Sequence, residues 1–289
     1  MNTIFDMETA DPDDFLTLCF LLSHPKVNLR AVTVTPGGRK QVGLVKLVLE
    51  RMGVDIPVGA RTPDHPKNAV SGFYNKVLGD IPEREADDQG WSVLQHTLSN
   101  YQDSTIITGA PLTNLHNLLL NVPWFKIERW VAQGGFAGDN IVPKEYRLPK
   151  FDGMTTCPTF NFNGNPKGAL ALLSTENIGK RLLVSKNVCH GEVYTKELHE
   201  RYEDVKDNDE CTKLIYKAMD IYLKKKPEGK KLHDPLAACT AINPEVCEFK
   251  EVEMFRERGK WGAKAKDDTN TWISWKANRE LFHKVWLFE

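Results

Sequence analysis

Acidic residues crowd one short segment near the N-terminus, DMETADPDD, residues 6–14. It carries five carboxylates in nine positions, at Asp6, Glu8, Asp11, Asp13 and Asp14. Like charges this close raise one another's pKa values unless a cation lies between them. A hard divalent cation with oxygen ligands removes that conflict, so the segment predicts a metal site, with Ca²⁺ favoured over Mg²⁺. Zinc is disfavoured because no cluster of His and Cys accompanies the acids.

Helix capping is the simpler explanation of the same segment. Asp13 or Asp14 can cap the apolar run FLTLCFLL that follows, because acids are stabilised at the positive end of a helix. Capping accounts for one or two carboxylates and leaves Asp6 and Glu8 unexplained. The metal site is therefore the favoured interpretation.

A second acidic position of interest lies far along the chain, in the segment KKLHDPLAA. His233 and Asp234 directly precede Pro235, and Pro is common in the first turn of a helix. Asp234 is thus predicted at a helix N-terminus, where it is a candidate ligand for the same metal. Taken alone, this segment is explained more simply by an N-cap Asp beside a surface His.

The elements that must position these acids alternate along the first half of the chain. NTIFD, NLRAVTVTP, IPVGA, STIITGA and IERWVAQGG read as strands, and helix-like segments separate several of them. This alternation predicts an α/β fold with a mostly parallel central sheet flanked by helices. Ligands of such sheets bind at the carboxyl ends of the strands, where DMETADPDD stands. Residues 136–158, rich in Gly and Pro, are predicted to be a functional loop near that edge.

Composition narrows the class of protein. The chain has 289 residues and a formal net charge of −1, which argues against a nucleic-acid polymer as partner. No apolar run approaches the roughly 20 residues of a membrane span, so no membrane partner is expected. Six scattered cysteines and the lack of a signal-peptide pattern predict reduced thiols and a cytoplasmic location.

Several segments in order resemble one enzyme family, the nucleoside hydrolases, or inosine-uridine-preferring N-ribohydrolases. DMETADPDD is similar to their opening Asp-x-Asp-Pro-Gly-x-Asp-Asp but is one residue longer, with Glu8 in place of the second Asp. The further matching segments are GAPLTNL (109–115), WVAQGG (130–135), TFNFNGNP (159–166) and the HDP of residues 233–235. The resemblance covers residues 1 to about 240. We expect one domain over 1–289, with 245–289 as its divergent C-terminal part.

The resemblance implies a site and a chemistry. A Ca²⁺ ion would be held by Glu8, Asp14, Asp234 and the backbone carbonyl of Gln133. Asp13 would bind ribose hydroxyls, and Asn161 would reach the 5′ side of the ribose.

Cleavage of a ribosyl C–N bond builds positive charge on the sugar, which carboxylates stabilise. Glu8 is the first choice for the base that takes a proton from a metal-bound water, and Asp6 is the second. His233 would stand near the leaving base as a general acid, although the base can also depart on its own basicity.

Two departures from the family bear on the substrate. The family's Gly-Asn after the second strand is Gly37-Gly38 here, and Arg39 and Lys40 follow it. Thr159 replaces a substrate-binding Glu. If Arg39 faced the pocket, it would favour a 5′-phosphate. The alternative, that Arg39 and Lys40 face water, is slightly favoured because cations are not stabilised at a helix start.

The expected function is hydrolysis of the N-glycosidic bond of a ribonucleoside or related N-riboside, with or without a 5′-phosphate. Its partner would be a small-molecule nucleoside or nucleotide, and a homodimer or homotetramer is left open. The alternatives are a non-catalytic nucleotide- or ribose-binding protein and a carbohydrate or polyol hydrolase on the same scaffold. The altered Glu8 favours the non-catalytic alternative, whereas His233-Asp234-Pro235 and the Asp13-Asp14 pair favour an enzyme.

Overall fold

A computed structural model describes residues 1–67 and 69–289. Strands and helices alternate through the first half of these residues, as the apolar periodicity predicts. The strands of the described residues are β1 (Asn2–Met7), β2 (Asn28–Val34), β3 (Val58–Ala60), β4 (Asp88–Gln89), β5 (Thr105–Thr108), β6 (Ile127–Gln133), β7 (Ile178–Val184), β8 (Val193–Tyr194), β9 (Lys230–Lys231), β10 (Cys247–Glu257), β11 (Lys260–Ala265) and β12 (Thr271–Ala277).

Helices cover both faces of the sheet and connect its strands. The helices of the same residues are α1 (Pro12–Ser23), α2 (Arg39–Met52), α3 (Phe73–Leu78), α4 (Gly90–Asn100), α5 (Thr113–Asn121), α6 (Phe160–Gly164), α7 (Pro166–Ser174), α8 (Lys186–Cys189), α9 (Lys196–Tyr202), α10 (Glu210–Leu223), α11 (His233–Ile242) and α12 (Arg279–Trp286). None of these helices is long and apolar enough to cross a membrane. Residues 136–158 form a connection that contains two short 3-10 helices.

The main sheet of the described residues has ten strands in the order β11-β10-β12-β7-β6-β5-β1-β2-β3-β4. All neighbours from β12 to β4 pair in parallel, and only β10 and β11 are antiparallel. The predicted mostly parallel α/β fold is therefore confirmed. β1 lies between β2 and β5, so the strand order reverses direction at β1, and such a switch point is the usual place for a ligand in an open α/β sheet.

Burial explains why β1 forms a strand and α1 a helix. Ile4, Phe5 and Met7 are fully buried, as expected of a parallel strand covered on both faces. α1 is buried from Asp13 to Leu21 and packs against α10 and α11. Helix α11 is buried along almost its whole length. Because α1 and α11 are packed in the interior, their N-termini are held firmly at the carboxyl end of the sheet.

The C-terminal residues extend the same sheet. β12 pairs in parallel with β7, with Ile273 opposite Leu183, and β10 and β11 continue from it as an antiparallel edge. Trp261 in β11 is buried beside Phe162 of α6, with ring centroids 5.2 Å apart. Residues 247–277 thus support the helix that carries Asn161.

Candidate active site

Three buried carboxylates meet at the carboxyl end of β1. Asp13 and Asp14 lie in the first turn of α1, and Asp234 lies in the first turn of α11. One oxygen of each lies within 4.8 Å of the others. Both helices direct their positive ends at this point, which offsets part of the repulsion among the acids. The sequence-predicted ligands Asp14 and Asp234 are thus brought together, and Asp13 joins them.

A cavity of about 510 Å³ opens above these acids. Glu8 reaches it from the connection between β1 and α1, and Gln133 reaches it from the end of β6. We use the name acid floor for Glu8, Asp13, Asp14 and Asp234. The residues that line the cavity are Glu8, Ala10, Asp11, Pro12, Asp13, Asp14, Gly109, Gln133, Phe160, Asn161, Tyr222, Lys226, His233 and Asp234.

The acid floor carries more negative charge than its surroundings compensate. Burial, followed by the neighbouring carboxylates, raises the pKa values of Asp14 and Asp234 well above the usual range. Burial and the charges of Asp13 and Asp11 raise the pKa of Glu8 to about 7. Asp234 Oδ1 is buried and has no hydrogen-bond partner among the described residues. A buried carboxylate oxygen without a donor is what a bound cation would satisfy.

The surroundings of the acid floor fit a hard cation with oxygen ligands. A Cβ atom at Gly109 would lie 2.7 Å from Asp234 Cγ, so only glycine leaves room for this carboxylate. The backbone carbonyl of Gln133 accepts a hydrogen bond of 3.0 Å from Asn161 Nδ2. A carbonyl oxygen has a second lone pair, which remains for a cation. Glu8, predicted as a ligand, lies outside the closest group of three carboxylates and has its backbone N–H bound to Asp14 Oδ1 at 2.9 Å.

Lys230 is a buried cation in this site that sequence reasoning missed. Its Nζ lies 2.9 Å from Asp11 Oδ1 and 3.3 Å from Asp13 Oδ1, and only 4% of its side chain is exposed. Burial lowers the pKa of Lys230, but the charges of Asp13 and Asp11 outweigh this and raise it above the usual value. The other oxygen of Asp13 accepts the His233 backbone N–H at 3.1 Å. Asp13 is therefore fixed from two sides.

His233 lies at the edge of the cavity as a neutral ring. Its Nδ1 is 3.2 Å from Cys189 Sγ, and its ring centroid is 4.8 Å from that of His190. Burial, and then the charge of Lys230, lower the pKa of His233 to about 3. At neutral pH the ring therefore offers a hydrogen bond and carries no positive charge.

Helix α6 forms another wall of the cavity. Asn161, the candidate for the 5′ side of the ribose, lines it, and Phe160 beside it is 70% exposed. Thr159 is buried just before the helix and does not line the cavity. Its hydroxyl has no hydrogen-bond partner among the described residues. Phe160 and Tyr222, two aromatic residues that line the cavity, were missed because single aromatics carry no distinctive spacing.

The prediction of Asp6 as the second choice for the catalytic base is corrected, because Asp6 lies in a supporting position. It is fully buried and is absent from the lining of the cavity in the described chain. Asp6 Oδ1 accepts hydrogen bonds from Thr33 Oγ1 at 2.6 Å and from Asn114 Nδ2 at 2.7 Å. Burial raises the pKa of Asp6 to about 7. Asp6 lies within β1, whereas Glu8 follows the last residue of that strand, where the cavity opens.

The prediction of Arg39 as a candidate phosphate ligand is corrected, because Arg39 lies at the surface. Its Nε lies 2.7 Å from Asp64 Oδ1, and its Nη2 lies 2.7 Å from Glu85 Oε1. It lines a separate pocket of about 230 Å³, together with Lys40 and Lys67. The guanidinium is paired with surface acids and lies outside the acid-lined cavity. We use the name surface charge cluster for Arg39, Asp64 and Glu85.

The fold and site together define a class: an open α/β protein with a buried carboxylate cluster at the switch point of its sheet. The profile of the inosine-uridine preferring nucleoside hydrolase family matches residues 3–284. An uncharacterised protein of Aquifex aeolicus (strain VF5) is 31% identical over 293 residues, which cover 97% of this chain and 96% of that protein.

Solved structures of similar fold are also nucleoside hydrolases. The purine-preferring ribonucleoside hydrolase of Gardnerella vaginalis has a TM-score of 0.73 at 17% identity, covering 100% of this chain and 97% of that one. The inosine-uridine preferring nucleoside hydrolase of Bacillus anthracis has the same TM-score and identity, covering 99% of this chain and 98% of that one. The chain belongs to the inosine-uridine preferring nucleoside hydrolase family, whose members are enzymes that hydrolyse N-glycosidic bonds.

Proposed function

We propose that this protein hydrolyses the N-glycosidic bond of an unphosphorylated ribonucleoside with Ca²⁺ bound at the acid floor. The observation that carries the proposal is the buried group Asp13, Asp14 and Asp234, whose oxygens converge below a cavity. The unpartnered oxygen of Asp234 supports a cation there. The family provides the reaction, and the residues of this chain provide the following roles.

Asp14, Asp234 and the carbonyl of Gln133 would hold the cation, with Glu8 beside them. When bound, Ca²⁺ would anchor ribose hydroxyls and make a coordinated water more acidic. Asp13 is fixed by Lys230 and by the start of α11, and it would accept hydrogen bonds from the ribose. The carboxylates also stabilise the positive charge that develops on the ribosyl ring as the C–N bond breaks.

Glu8 is the proposed general base. Its carboxylate lines the cavity, and its pKa of about 7 is close to neutral pH. A base works best when its pKa lies near the working pH, because it is then both available and able to take the proton. The Glu8 carboxylate would accept a proton from the attacking water.

The leaving base would lie between His233 and the aromatic side chains at the opening. Phe160 and Tyr222 both line the cavity, and an aromatic ring stacked on a heterocycle contributes about 1–3 kcal/mol. His233 would donate one hydrogen bond from its neutral ring. A 5′-phosphate is not part of the proposal, because Arg39 lies outside the cavity and pairs with Asp64 and Glu85.

The location proposed for the enzyme is the cytoplasm. All six cysteines of the chain lie within the described residues and are unpaired. Free thiols are the normal state in a reducing compartment, which supports this proposal.

The test is release of free ribose from inosine, uridine, nicotinamide riboside and the matching 5′-phosphates, with millimolar Ca²⁺ or with a chelator. We expect ribose from at least one unphosphorylated substrate, loss of activity on chelation, and loss of activity in Asp14→Asn. If the folded protein binds ribose and releases none from any substrate, the non-catalytic alternative replaces the proposal. Activity that survives complete chelation would show that the reaction needs no metal ion.

A further inference from the structure

Two residues of the cavity are joined by a continuous chain of side-chain hydrogen bonds. Asn161 Nδ2 lies 2.8 Å from Gln133 Oε1, and Gln133 Nε2 lies 3.3 Å from Cys189 Sγ. Cys189 Sγ in turn lies 3.2 Å from His233 Nδ1. Asn161 and His233, at its two ends, line the cavity, whereas Cys189 is fully buried behind them.

The direction of this chain is fixed by one backbone group. Asn161 Nδ2 also lies 3.0 Å from the carbonyl oxygen of Gln133, which can only accept. The amide of Asn161 must therefore present its NH₂ group to Gln133. The side-chain atom of Gln133 that meets this donor must be Oε1, so Nε2 is the atom that faces Cys189 and donates to its sulfur.

The same logic continues through the thiol. Cys189 is fully buried, which disfavours a thiolate, so the sulfur keeps its proton at neutral pH, as an ordinary thiol does. Because the sulfur already accepts from Gln133, its S–H needs an acceptor. Within reach are His233 Nδ1 at 3.2 Å and the carbonyl oxygen of Lys186 at 4.0 Å. The shorter contact is to the ring nitrogen.

We propose that Cys189 is a positioning residue that holds His233 in the tautomer with the proton on Nε2, through a hydrogen-bond chain running from Asn161 to His233. The chain gives the cavity a fixed polarity. Asn161 presents its carbonyl oxygen as an acceptor at one end, and His233 presents Nε2–H as a donor at the other. A nucleoside needs that pairing, with a sugar hydroxyl to be accepted and a basic ring atom on the leaving group to receive a hydrogen bond. The match between this polarity and a nucleoside rests on the proposed function, whereas the positioning of His233 by Cys189 does not.

The primary test measures the His233 tautomer directly. Histidine-labelled protein, free of metal at pH 7, is observed by ¹⁵N NMR, and the His233 signals are assigned by their loss in His233→Gln. We expect the unprotonated nitrogen to be Nδ1 in the native protein. Cys189→Ala removes the donor and should give a mixture of tautomers, whereas Cys189→Ser retains a donor and should restore the native signal.

Cys247 supplies a matched control. It is a buried thiol that contacts Thr240 Oγ1 at 3.5 Å, and burial raises its pKa to about 12. Cys247→Ala should leave the His233 signals unchanged. In the enzyme assay, Cys189→Ala should lower kcat about two- to threefold with a smaller change in KM, because only part of the His233 population then donates a hydrogen bond to the leaving group. Cys189→Ser should recover most of that loss.

A native His233 that is protonated on Nδ1, or a tautomer unchanged by Cys189→Ala, would overturn the proposal. Equal effects of Cys189→Ala and Cys247→Ala would do so as well, because they would indicate a loss of packing alone. The NMR result does not depend on turnover. If no substrate is hydrolysed but the tautomer shifts as expected, the proposed function fails and the positioning role of Cys189 stands.

Discussion

The acid floor and the surface charge cluster are both dense in charge. They differ in how the protein neutralises them. Arg39 forms two ion pairs at 2.7 Å with acids that are 56% and 73% exposed. The acid floor is buried, with Lys230 beside Asp13 as its partial compensation. Two charge-rich groups of the same chain therefore differ in their energetics.

The difference shows which charged residues of this fold indicate a functional site. Exposed ion pairs are screened by water and contribute about 0–1 kcal/mol, so their presence requires no special explanation. Burying carboxylates that repel one another is costly, and an α/β core would not retain them without a compensating ligand or chemical role. Burial, rather than charge density, separates the candidate active site from the ordinary surface.

The largest effect should come from removing charge within the acid floor. Glu8→Gln removes the proposed base, and Asp13→Asn weakens the hold on the ribose, so each should lower kcat/KM by about 10²–10⁴-fold. The matched changes in the surface charge cluster, Glu85→Gln and Asp64→Asn, should leave kcat/KM unchanged. Steady-state kinetics on the best nucleoside would measure this, with circular dichroism as the check of folding. Near-native turnover in Glu8→Gln would refute its role as the base.

Stability against pH should also separate Asp6, the buried acid behind the acid floor, from the surface charge cluster. The pKa of Asp6 rises from 3.8 to about 7 in the folded protein, so folding favours the protonated form. That stabilisation is fully present below pH about 4 and is lost as the pH rises through about 7. For this fully buried group the loss amounts to at most roughly 4 kcal/mol.

Asp6→Asn keeps an acceptor for Thr33 and does not titrate, so its free energy of unfolding should fall less over this range. Urea unfolding of metal-free protein between pH about 4 and about 7 would measure the difference. Asp64→Asn, in the surface charge cluster, should follow the native profile. Parallel profiles for the native protein and Asp6→Asn would show that Asp6 does not carry the pH dependence.

A smaller effect is expected at the leaving base. A neutral His233 contributes one hydrogen bond, worth about 1 kcal/mol, so His233→Ala should reduce kcat on a nucleoside about five- to tenfold. A riboside with a nitrophenolate leaving group needs no hydrogen bond to depart and should be cleaved at the native rate. His65→Ala, beside the surface charge cluster, is the matched control. A loss on the nucleoside as large as that of Glu8→Gln would mean that His233 delivers a full proton.

Much of the fold was predictable because parallel strands and their helices have strong periodic signals. The exception is the C-terminal edge. In β10 the alternation of apolar and charged residues changes phase at Glu251 and Val252, which weakens the strand pattern. The hairpin to β11 turns at Arg258 and Gly259, both with positive φ, and Arg is an unusual residue in that conformation. The change of phase and the Arg at the turn make this strand pair hard to recognise from sequence.

The candidate site was predictable where one residue type determines the chemistry. Asp14 and Asp234 were identified because carboxylates at helix starts near strand ends favour a cation. Lys230 and Cys189 were missed. Lys230 belongs to the run KKKPEGKK, which reads as a solvated surface, and no local signal indicates which of its lysines is buried. Cys189 gains its importance only from its contact with His233, which is 44 residues away in sequence.

The smallest effect should come from Arg39. Its side chain is 44% exposed and paired with two exposed acids, so Arg39→Ala should hardly change the stability of the protein. The change in thermal stability should shrink further at high salt, because salt screens surface pairs. Since Arg39 lies outside the cavity, the substitution should alter neither kcat/KM on inosine nor that on inosine 5′-phosphate, compared at fixed ionic strength. A tenfold loss confined to the phosphorylated substrate would place Arg39 in the substrate site after all. The surface charge cluster would then have to move toward the acid floor during catalysis, and the contrast between the two regions would describe only the ligand-free protein.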